Sequence, residues 1–147
     1  MKKVVIIGGV AGGASCAARL RRLDEEANII LLERGKYISY ANCGLPYHVG
    51  DVIKSRDALI LQTPEAMQKK FKVDVRVQNE VVSIDRDKKV IIVKRLETGE
   101  IYEEAYDTLV IATGSSPVRP PIPGIESSRI QTLWTVPDTD RIHALIQ

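Results

Sequence analysis

The stretch Val4-Val5-Ile6-Ile7-Gly8-Gly9-Val10-Ala11-Gly12-Gly13 decides the fold. A continuous β-branched run is typical of a parallel strand that is buried on both faces. Gly8 permits a tight turn after this strand, and Gly13 lets the following helix, predicted over 14–23, pack closely on it. The helix N-terminus would present bare N–H groups to a pyrophosphate. The stretch therefore predicts a dinucleotide-binding β-α-β unit.

A carboxylate follows at the distance that such a unit requires. Residues 28–33 form a second apolar run that ends in Glu33, about 20 residues beyond the last glycine. An acid in this position accepts hydrogen bonds from ribose hydroxyls. Val10 stands where the usual pattern has its middle glycine, so a glycine turn without a ligand is the alternative interpretation.

Downstream, the pattern predicts an α/β fold of the Rossmann type in which an antiparallel meander interrupts the parallel sheet. Thr63 and Pro64 suit an N-cap and a first helical position, for a short helix that runs to about Phe71. The apolar run at 107–114 returns the chain to the main sheet. Between this helix and this run lie four stretches in which apolar and polar residues alternate, separated by turn residues, at 73–77, 81–84, 90–93 and 101–102. A last helix is predicted from Pro137, with Asp138 as its cap.

The composition excludes several classes of protein. The chain has 147 residues, of which 44% are hydrophobic and 27% charged, and its net charge is +2. This small charge argues against a dedicated nucleic-acid or membrane surface, and no stretch is long enough to cross a bilayer. Two cysteines offer no disulfide framework, and no metal-ligand spacing occurs. We expect a cytoplasmic protein with a working thiol.

A redox site is predicted at Cys43, within Ile38-Ser39-Tyr40-Ala41-Asn42-Cys43-Gly44-Leu45-Pro46-Tyr47. Pro46 suits the first turn of a helix, and the positive end of a helix dipole favours the reactive thiolate. A partly buried thiol in a loop is the alternative. Enzymes that use a redox-active pair of cysteines in such a segment carry the second one where His48 stands. The sulfur or oxygen that pairs with Cys43 must therefore come from outside the chain. Cys16 lies on the predicted core face of the first helix, and we expect it to be structural.

The glycine pattern does not separate FAD from NAD, but two other features favour FAD. The antiparallel insertion is followed by a strand that ends in Ala112-Thr113-Gly114, an arrangement that resembles the FAD domains of disulfide reductases. A redox cysteine directly after the second strand also needs an electron donor, and flavin serves. The first helix additionally carries Ser15, Arg19 and Arg22 on one side, which is either a solvated face or a site for a phosphorylated substrate.

Four segments together resemble the single-cysteine pyridine nucleotide-disulfide oxidoreductases, in particular their coenzyme A-disulfide reductase branch with its rhodanese-fused, persulfide-reducing members. Val10 is normal for this branch. The resemblance implies a homodimeric flavoenzyme in which NAD(P)H reduces FAD and a mixed disulfide forms between Cys43 and coenzyme A. The segments are Val-Ile-Ile-Gly-Gly-Val-Ala-Gly-Gly-Ala-Ser (5–15), Leu-Glu-Arg-Gly (32–35), Ile-Ser-Tyr-Ala-Asn-Cys-Gly-Leu-Pro-Tyr (38–47) and Leu-Val-Ile-Ala-Thr-Gly-Ser (109–115).

The same resemblance implies the site residues. Cys43 would be the catalytic residue. FAD would be bound by Gly8, Gly9, Val10, Ala11, Gly12, Gly13, Glu33, Arg34, Asn42, Val81, Ala112, Thr113 and Gly114. Coenzyme A would be bound by Ser15, Arg19, Arg22, Ser39 and Asn42. Where related reductases carry a further lysine for coenzyme A, this chain has Phe71, flanked by Lys70 and Lys72.

Members of this family continue into an NAD(P)H domain and a dimerisation domain. We therefore expect residues 1–147 to be the N-terminal portion of an FAD-binding domain and to be inactive alone. Two alternatives stay open at this point. One is an NADH oxidase or peroxidase in which Cys43 cycles through a sulfenic acid. The other is a non-catalytic nucleotide-binding module in which Cys43 is incidental.

Overall fold

The computed structural model describes residues 1–146 and confirms the predicted α/β fold with its antiparallel insertion. Contacts group the chain into two compact units, 1–39 with 62–114 and 40–61 with the chain from 115 onward. No helix in the described range is long and apolar enough to cross a membrane. In chain order the elements are β1 (Lys3–Ile7), α1 (Ala11–Leu23), β2 (Asn28–Glu33), α2 (Leu45–Val49), α3 (Pro64–Phe71), β3 (Val73–Val77), β4 (Asn79–Asp85), β5 (Val90–Arg95), β6 (Ile101–Ala105), β7 (Thr108–Ile111) and α4 (Val136–Ile146), with 3₁₀ turns at Asn42–Gly44 and Arg56–Leu59.

The first unit is built on a parallel sheet with the strand order β3-β2-β1-β7. Ile7, the last residue of β1, lies opposite Leu32 of β2 and Ile111 of β7. Three strands therefore end together at one edge of the sheet. Glu33 is the last residue of β2, and the glycine turn and Ala112 directly follow β1 and β7, so the fold collects these predicted cofactor residues at this edge.

Both faces of the parallel sheet are covered, as the uninterrupted apolar runs predict. Successive side chains of a strand point to opposite faces, so β1 and β2 contribute to two separate cores. The first core contains Val4, Ile6, Ile29 and Leu31, with Ala17 of α1 and Met67 of α3. The second contains Val5, Ile30 and Leu32, with Ile91 and Val93 of β5. The meander β4-β5-β6 thus acts as the cover of one sheet face.

Two local predictions need correction. α1 begins at Ala11 and not at residue 14, because close packing on β1 overrides the poor helix propensity of Gly12 and Gly13. Asp138 is not the N-cap of α4, which begins at Val136. Its carboxylate accepts hydrogen bonds from the N–H and Oγ1 of Thr135, and its own N–H lies 3.4 Å from Thr135 Oγ1, as in a capping box.

The short helix α3 confirms its prediction at both ends. Thr63 precedes it, and Thr63 Oγ1 accepts a hydrogen bond from the N–H of Ala66 at 3.2 Å. At the other end Lys72 has a φ of 49° and closes the helix in the left-handed conformation.

Arg21 is a structural residue that the sequence pattern did not single out. It lies in the last turn of α1, where a cation interacts favourably with the helix dipole. Its guanidinium joins the C-terminal ends of α1 and α3 by donating hydrogen bonds at 2.6–3.1 Å to the carbonyl oxygens of Asp24, Glu25, Ala27, Phe71 and Lys72.

The contact between α1 and β1 can be tested with a matched pair of substitutions. A Cβ at Gly13 would lie 1.7 Å from the carbonyl oxygen of Gly8, whereas a Cβ at Gly12 would come no closer than 3.7 Å to Ala112 Cβ. Because the backbone must move, we expect Gly13→Ala to lower the free energy of unfolding by about 3 kcal/mol. Gly12→Ala should leave it unchanged or raise it by up to about 1 kcal/mol. Urea unfolding followed by circular dichroism measures both, and equal stabilities would contradict the packing argument.

Candidate functional site

The turn after β1 depends on a backbone conformation that only glycine adopts easily. Gly8 has a φ of 100°, and a Cβ there would lie 2.1 Å from the carbonyl oxygen of Ala112. The Gly8 N–H donates to the carbonyl of Leu32 at 2.8 Å, and the Ala112 N–H donates to the carbonyl of Ile7 at 2.8 Å. The loops after β1 and β7 are therefore in backbone contact. Thr113 and Gly114 continue the second loop and are exposed.

The N-terminus of α1 is open to an anion. Val10 occupies the N-cap position, and within the described chain no side chain bonds to the amides of the first turn and no acidic residue lies in it. Ala11 and Gly12 are exposed, whereas Gly9 and Gly13 are buried. Free N–H groups at the positive end of a helix dipole bind phosphate oxygens.

Glu33 is held in a fixed orientation beside this turn. Its Oε2 accepts a hydrogen bond from the N–H of Gly9 at 2.8 Å, and its Oε1 accepts one from the N–H of Gly35 at 2.7 Å. Each carboxylate oxygen keeps acceptor capacity for a further donor such as a ribose hydroxyl. Together with the open helix end, this acceptor fits the pyrophosphate and ribose of a dinucleotide.

The next two predicted cofactor residues lie just after β2 and near the start of β4. Arg34 is exposed, and its Nη1 lies 4.0 Å from Oε1 of Glu80 in β4. The next residue, Val81, is half-buried and packs against the second core, beside a shift in the register of β4 with β5. The start of β4 therefore lies near the end of β2, on the side of Glu33.

A cleft of about 470 Å³ opens between α1 and α3 in the first unit, within the size range of small-molecule sites. Its floor contains buried Met67 and its rim contains exposed Arg22 and Lys70. Among the described residues that line it there is no carboxylate, so the cleft suits an anion. The lining consists of Ala14, Ser15, Ala18, Arg22, Ser39, Gln62, Met67, Lys70 and Phe71.

Three of the predicted coenzyme A residues, Ser15, Arg22 and Ser39, meet in this cleft. Arg19 is exposed on α1 but does not belong to the described lining. Ser39 has a φ of 45°, which is uncommon for a residue other than glycine. Its N–H donates to the carbonyl of Gly9 at 2.9 Å, so the cleft is tied to the glycine turn.

Lys70 is a lining residue whose role the sequence pattern left open. Lys70 and Phe71 lie three and four positions after buried Met67, so all three share one side of α3. Lys72 lies beyond the helix end and is not part of the described lining. The spacing of three residues from apolar Met67 was the signal in the sequence that could have identified Lys70 as a cleft residue.

The predicted redox cysteine lies in the second unit. Cys43 is exposed, and its 3₁₀ turn runs directly into α2, which has Pro46 in its first turn as predicted. Gly44 is buried, and a Cβ there would lie 3.1 Å from Leu59 Cδ2. The Nδ2 of Asn42 donates to the carbonyl of Trp134 at 3.5 Å. The turn is thus packed on its inner side while the thiol stays accessible.

Cys16 differs from Cys43 in its surroundings. It is half-buried and packs against the first core, in agreement with the structural role expected for it. Its position on α1 follows from the same helical face that buries Gly13 and Ala17.

The two histidines form a stacked pair in the second unit. Their ring centroids lie 5.1 Å apart with an interplanar angle of 3°. His48 is buried, and its Nδ1 lies 2.7 Å from the carbonyl oxygen of Ile53. His143 Nε2 lies 3.3 Å from Asp51 Oδ1. These contacts make His48 a residue that packs α2 on α4.

Arg56 and Asp140 form an ion pair in the same unit. The Nε and Nη2 of Arg56 lie 2.6 and 2.7 Å from the two carboxylate oxygens of Asp140. The hydrogen bond from Arg56 is the main cause that holds the pKa of Asp140 below its usual value, and partial burial opposes it. The charge of Arg56 lowers the pKa of Asp140 further, with smaller electrostatic contributions from His48 and His143.

This ion pair predicts a pH dependence. A carboxyl group whose pKa is lower in the folded state stabilises the fold above its unfolded pKa, near 4, and loses this contribution as the pH falls through the folded pKa. Because the pair is partly exposed, we expect Asp140→Asn to lower the free energy of unfolding at pH 7 by about 1 kcal/mol or less. The difference should shrink towards zero below about pH 3. Urea midpoints at the two pH values measure it, with exposed Asp57→Asn as control; a difference independent of pH would contradict the assignment.

Comparison with known sequences places the chain in a known family. A sequence model of the family described as pyridine nucleotide-disulphide oxidoreductase matches residues 2–146. Coenzyme A disulfide reductase of Staphylococcus aureus (strain JH9) is 38% identical over 147 residues, which are 100% of this chain and 33% of that protein. The chain therefore spans about a third of the length of the curated relatives it matches.

Two solved structures have the same fold at substantial sequence identity. The crystal structure of reduced Bacillus anthracis CoADR-RHD superimposes with a TM-score of 0.96 at 56% identity, over 99% of this chain and 26% of that one. The NAD-dependent persulfide reductase from A. fulgidus has a TM-score of 0.92 at 39% identity, over 98% of this chain and 27% of that one.

Proposed function

We propose that this chain, which belongs to the pyridine nucleotide-disulphide oxidoreductase family, is the FAD-binding N-terminal portion of a homodimeric enzyme. The enzyme reduces coenzyme A disulfide, or a persulfide of coenzyme A, at the expense of NAD(P)H. The observation that carries this proposal is the accessible thiol of Cys43 in its packed turn, while the other cysteine of the sequence, Cys16, lies against the first core. A lone working thiol needs a sulfur partner that a substrate brings.

The chemistry at Cys43 is thiol–disulfide exchange. The Cys43 thiolate attacks one sulfur of the disulfide, so one coenzyme A thiolate leaves and a mixed disulfide forms between Cys43 and coenzyme A. FAD, when bound, supplies the two electrons that NAD(P)H donates. Two-electron reduction of the mixed disulfide then restores the Cys43 thiolate and releases the second coenzyme A as a thiol.

The cofactor portion of this proposal rests on the edge of the parallel sheet. The open N-terminus of α1 would hold the pyrophosphate of FAD, and Glu33 would accept hydrogen bonds from the adenosine ribose. The remaining residues proposed to line FAD are Gly8, Gly9, Val10, Ala11, Gly12, Gly13, Arg34, Asn42, Val81, Ala112, Thr113 and Gly114.

The substrate portion rests on the cation-rimmed cleft. Coenzyme A carries a diphosphate and a 3′-phosphate, and the lining supplies Arg22 and Lys70 as phosphate partners and the Ser15 and Ser39 hydroxyls as donors. Arg19 and Asn42 complete the proposed set. Lys70 would take the place of the further lysine that related reductases carry at the position of Phe71.

Covalent capture of coenzyme A by Cys43 tests this function. The experiment uses the full gene product, including any residues that the gene encodes beyond Gln147. We expect coenzyme A disulfide to add one coenzyme A moiety to Cys43, seen by mass spectrometry, and NADH or NADPH to release it stoichiometrically. Cys43→Ser should lower turnover about 1000-fold or more, because the attacking thiolate is lost, and Cys16→Ala should retain it.

Two other outcomes would assign a different function to the chain. A Cys43 sulfenic acid after peroxide, with no turnover of coenzyme A disulfide, would favour an NADH oxidase or peroxidase. If Cys43→Ser leaves every NADH-linked activity intact, the chain is a nucleotide-binding module without a catalytic thiol.

Two adjacent lysines of α3 test the substrate cleft. Lys70 lines the cleft, whereas Lys69 faces a separate groove beside Asp74 of β3. We expect Lys70→Ala to raise the KM for coenzyme A disulfide about tenfold, because a charge-assisted phosphate contact is lost. Lys69→Ala should change it less than about twofold, since the net charge changes equally but the cleft does not. Equal effects of the two substitutions would show that only the general positive charge of α3 matters.

A further inference from the structure

The helix α2 is too short to hold its own position. It has five residues, and an isolated helix of this length is not stable in water, so α2 depends on tertiary contacts. Because α2 begins at Leu45, two residues after Cys43, the contacts that fix α2 also fix the turn that carries the thiol. The packing of α2 within the second unit therefore decides how the thiol is presented.

The chain after α2 folds back against this turn. The N–H groups of Val52 and Ile53 donate to the carbonyl oxygen of Tyr47 at 2.9 and 3.0 Å. The Ile53 side chain packs on Gly44, the neighbour of Cys43, since a Cβ built on Gly44 would lie 3.4 Å from Ile53 Cδ1. A displacement of Ile53 would thus remove support from the backbone of the cysteine turn.

His48 ties the returning segment to α2. Its Nδ1 lies 2.7 Å from the carbonyl oxygen of Ile53. A carbonyl oxygen only accepts, so Nδ1 is the donor and the neutral ring carries its proton there. The residue is 6% exposed, and a polar group buried to this extent is unfavourable without its hydrogen bond. The orientation of the His48 ring therefore sets the position of Ile53.

His143 of α4 holds the His48 ring in this orientation. The two rings stack with their centroids 5.1 Å apart and an interplanar angle of 3°. His143 Nε2 donates to Asp51 Oδ1 at 3.3 Å, and the Asp51 N–H donates to the carbonyl of His48 at 3.1 Å. His143 thus contacts both the buried ring of α2 and the residue that closes the end of this helix.

We propose that His143 is a positioning residue for the thiol of Cys43 and acts through the stacked ring of His48. His143 orients the His48 ring, this ring holds the carbonyl of Ile53, and Ile53 supports the turn. The inference rests on the proposed function, because it assigns a role in the attack of Cys43 on a disulfide. A misplaced nucleophile reacts slowly even when the substrate is bound, so loss of this support should lower the rate of attack and not the affinity.

Three substitutions in α4 separate the stack from the hydrogen bond and from general effects on the helix. His143→Phe keeps a ring that can stack but has no donor for Asp51. His143→Gln keeps a donor but has no ring. Leu145→Ala is the matched control, because the Leu145 side chain is exposed on the same helix. All are made in the full gene product.

Hydrogen–deuterium exchange measures the turn without flavin or substrate. The Gly44 N–H donates to the carbonyl of Ala41 at 2.9 Å, so its protection reports opening of the turn. We expect His143→Gln to lower this protection about tenfold, and His143→Phe to keep it within about threefold of the original protein. The amide of Val5, in the parallel sheet of the first unit, should keep its protection in both. Leu145→Ala should change neither amide.

Capture of coenzyme A gives the second measurement. At saturating coenzyme A disulfide, we expect His143→Gln to form the mixed disulfide at Cys43 about tenfold more slowly, followed by quenching and mass spectrometry. The half-saturating concentration should change less than about twofold. His143→Phe should restore the rate to within about threefold.

Three results would overturn the inference. Equal protection of Gly44 in all variants would show that the turn does not depend on the stack. Equal losses at Gly44 and Val5 would show a role in overall stability alone. An unchanged capture rate in His143→Gln would show that the reaction does not depend on this support. If the original protein captures no coenzyme A while the protection of Gly44 follows the ring, the proposed function fails and the positioning of the turn by His143 stands.

Discussion

The first unit depends on one close contact, the approach of the α1 backbone at Gly13 to the carbonyl oxygen of Gly8. A Cβ at Gly13 would lie 1.7 Å from that oxygen, so helix and strand are in direct backbone contact. In the same turn the carbonyl oxygen of Ala112 lies close to Gly8. The N–H of Gly9 donates a hydrogen bond to Glu33, and the carbonyl of Gly9 accepts one from the N–H of Ser39. One packing constraint thus orients the anion-binding helix end, the carboxylate and the start of the cleft wall.

Features with a local physical cause could be read from the sequence. Continuous β-branched runs predict strands covered on both faces, and the two cores on opposite sides of β1 and β2 show why polar residues are missing there. Thr63 predicts the start of α3 because its side chain bonds within the same turn. The glycine turn and Glu33 are similarly specified, since the spacing of a β-α-β unit fixes where both must stand.

Features that depend on tertiary contacts could not be predicted in this way. Arg21 looks like any basic residue of an amphipathic helix, and its role arises only when the end of α3 comes within reach of its guanidinium. His48 stands where a second cysteine would be in a dithiol enzyme, and its position in the sequence does not indicate its partners. Its ring stacks on His143 of α4, a residue that no short sequence window relates to it. Leu23 lies on the same helical side as Cys16 and Leu20, but it is 67% exposed because the helix ends there.

On the proposed function, the single working thiol and the cleft answer the same physical requirement. An enzyme with two adjacent cysteines can form its disulfide internally, but a single working cysteine must hold the second sulfur on a ligand. Exchange at that sulfur gains rate only if the ligand is held in position, and groups remote from the reacting bond can supply the binding energy. A cleft with cations at its rim provides such groups without contributing to the sulfur chemistry. On the proposed function, the affinity that replaces the missing cysteine therefore comes from recognition of the nucleotide end of the substrate.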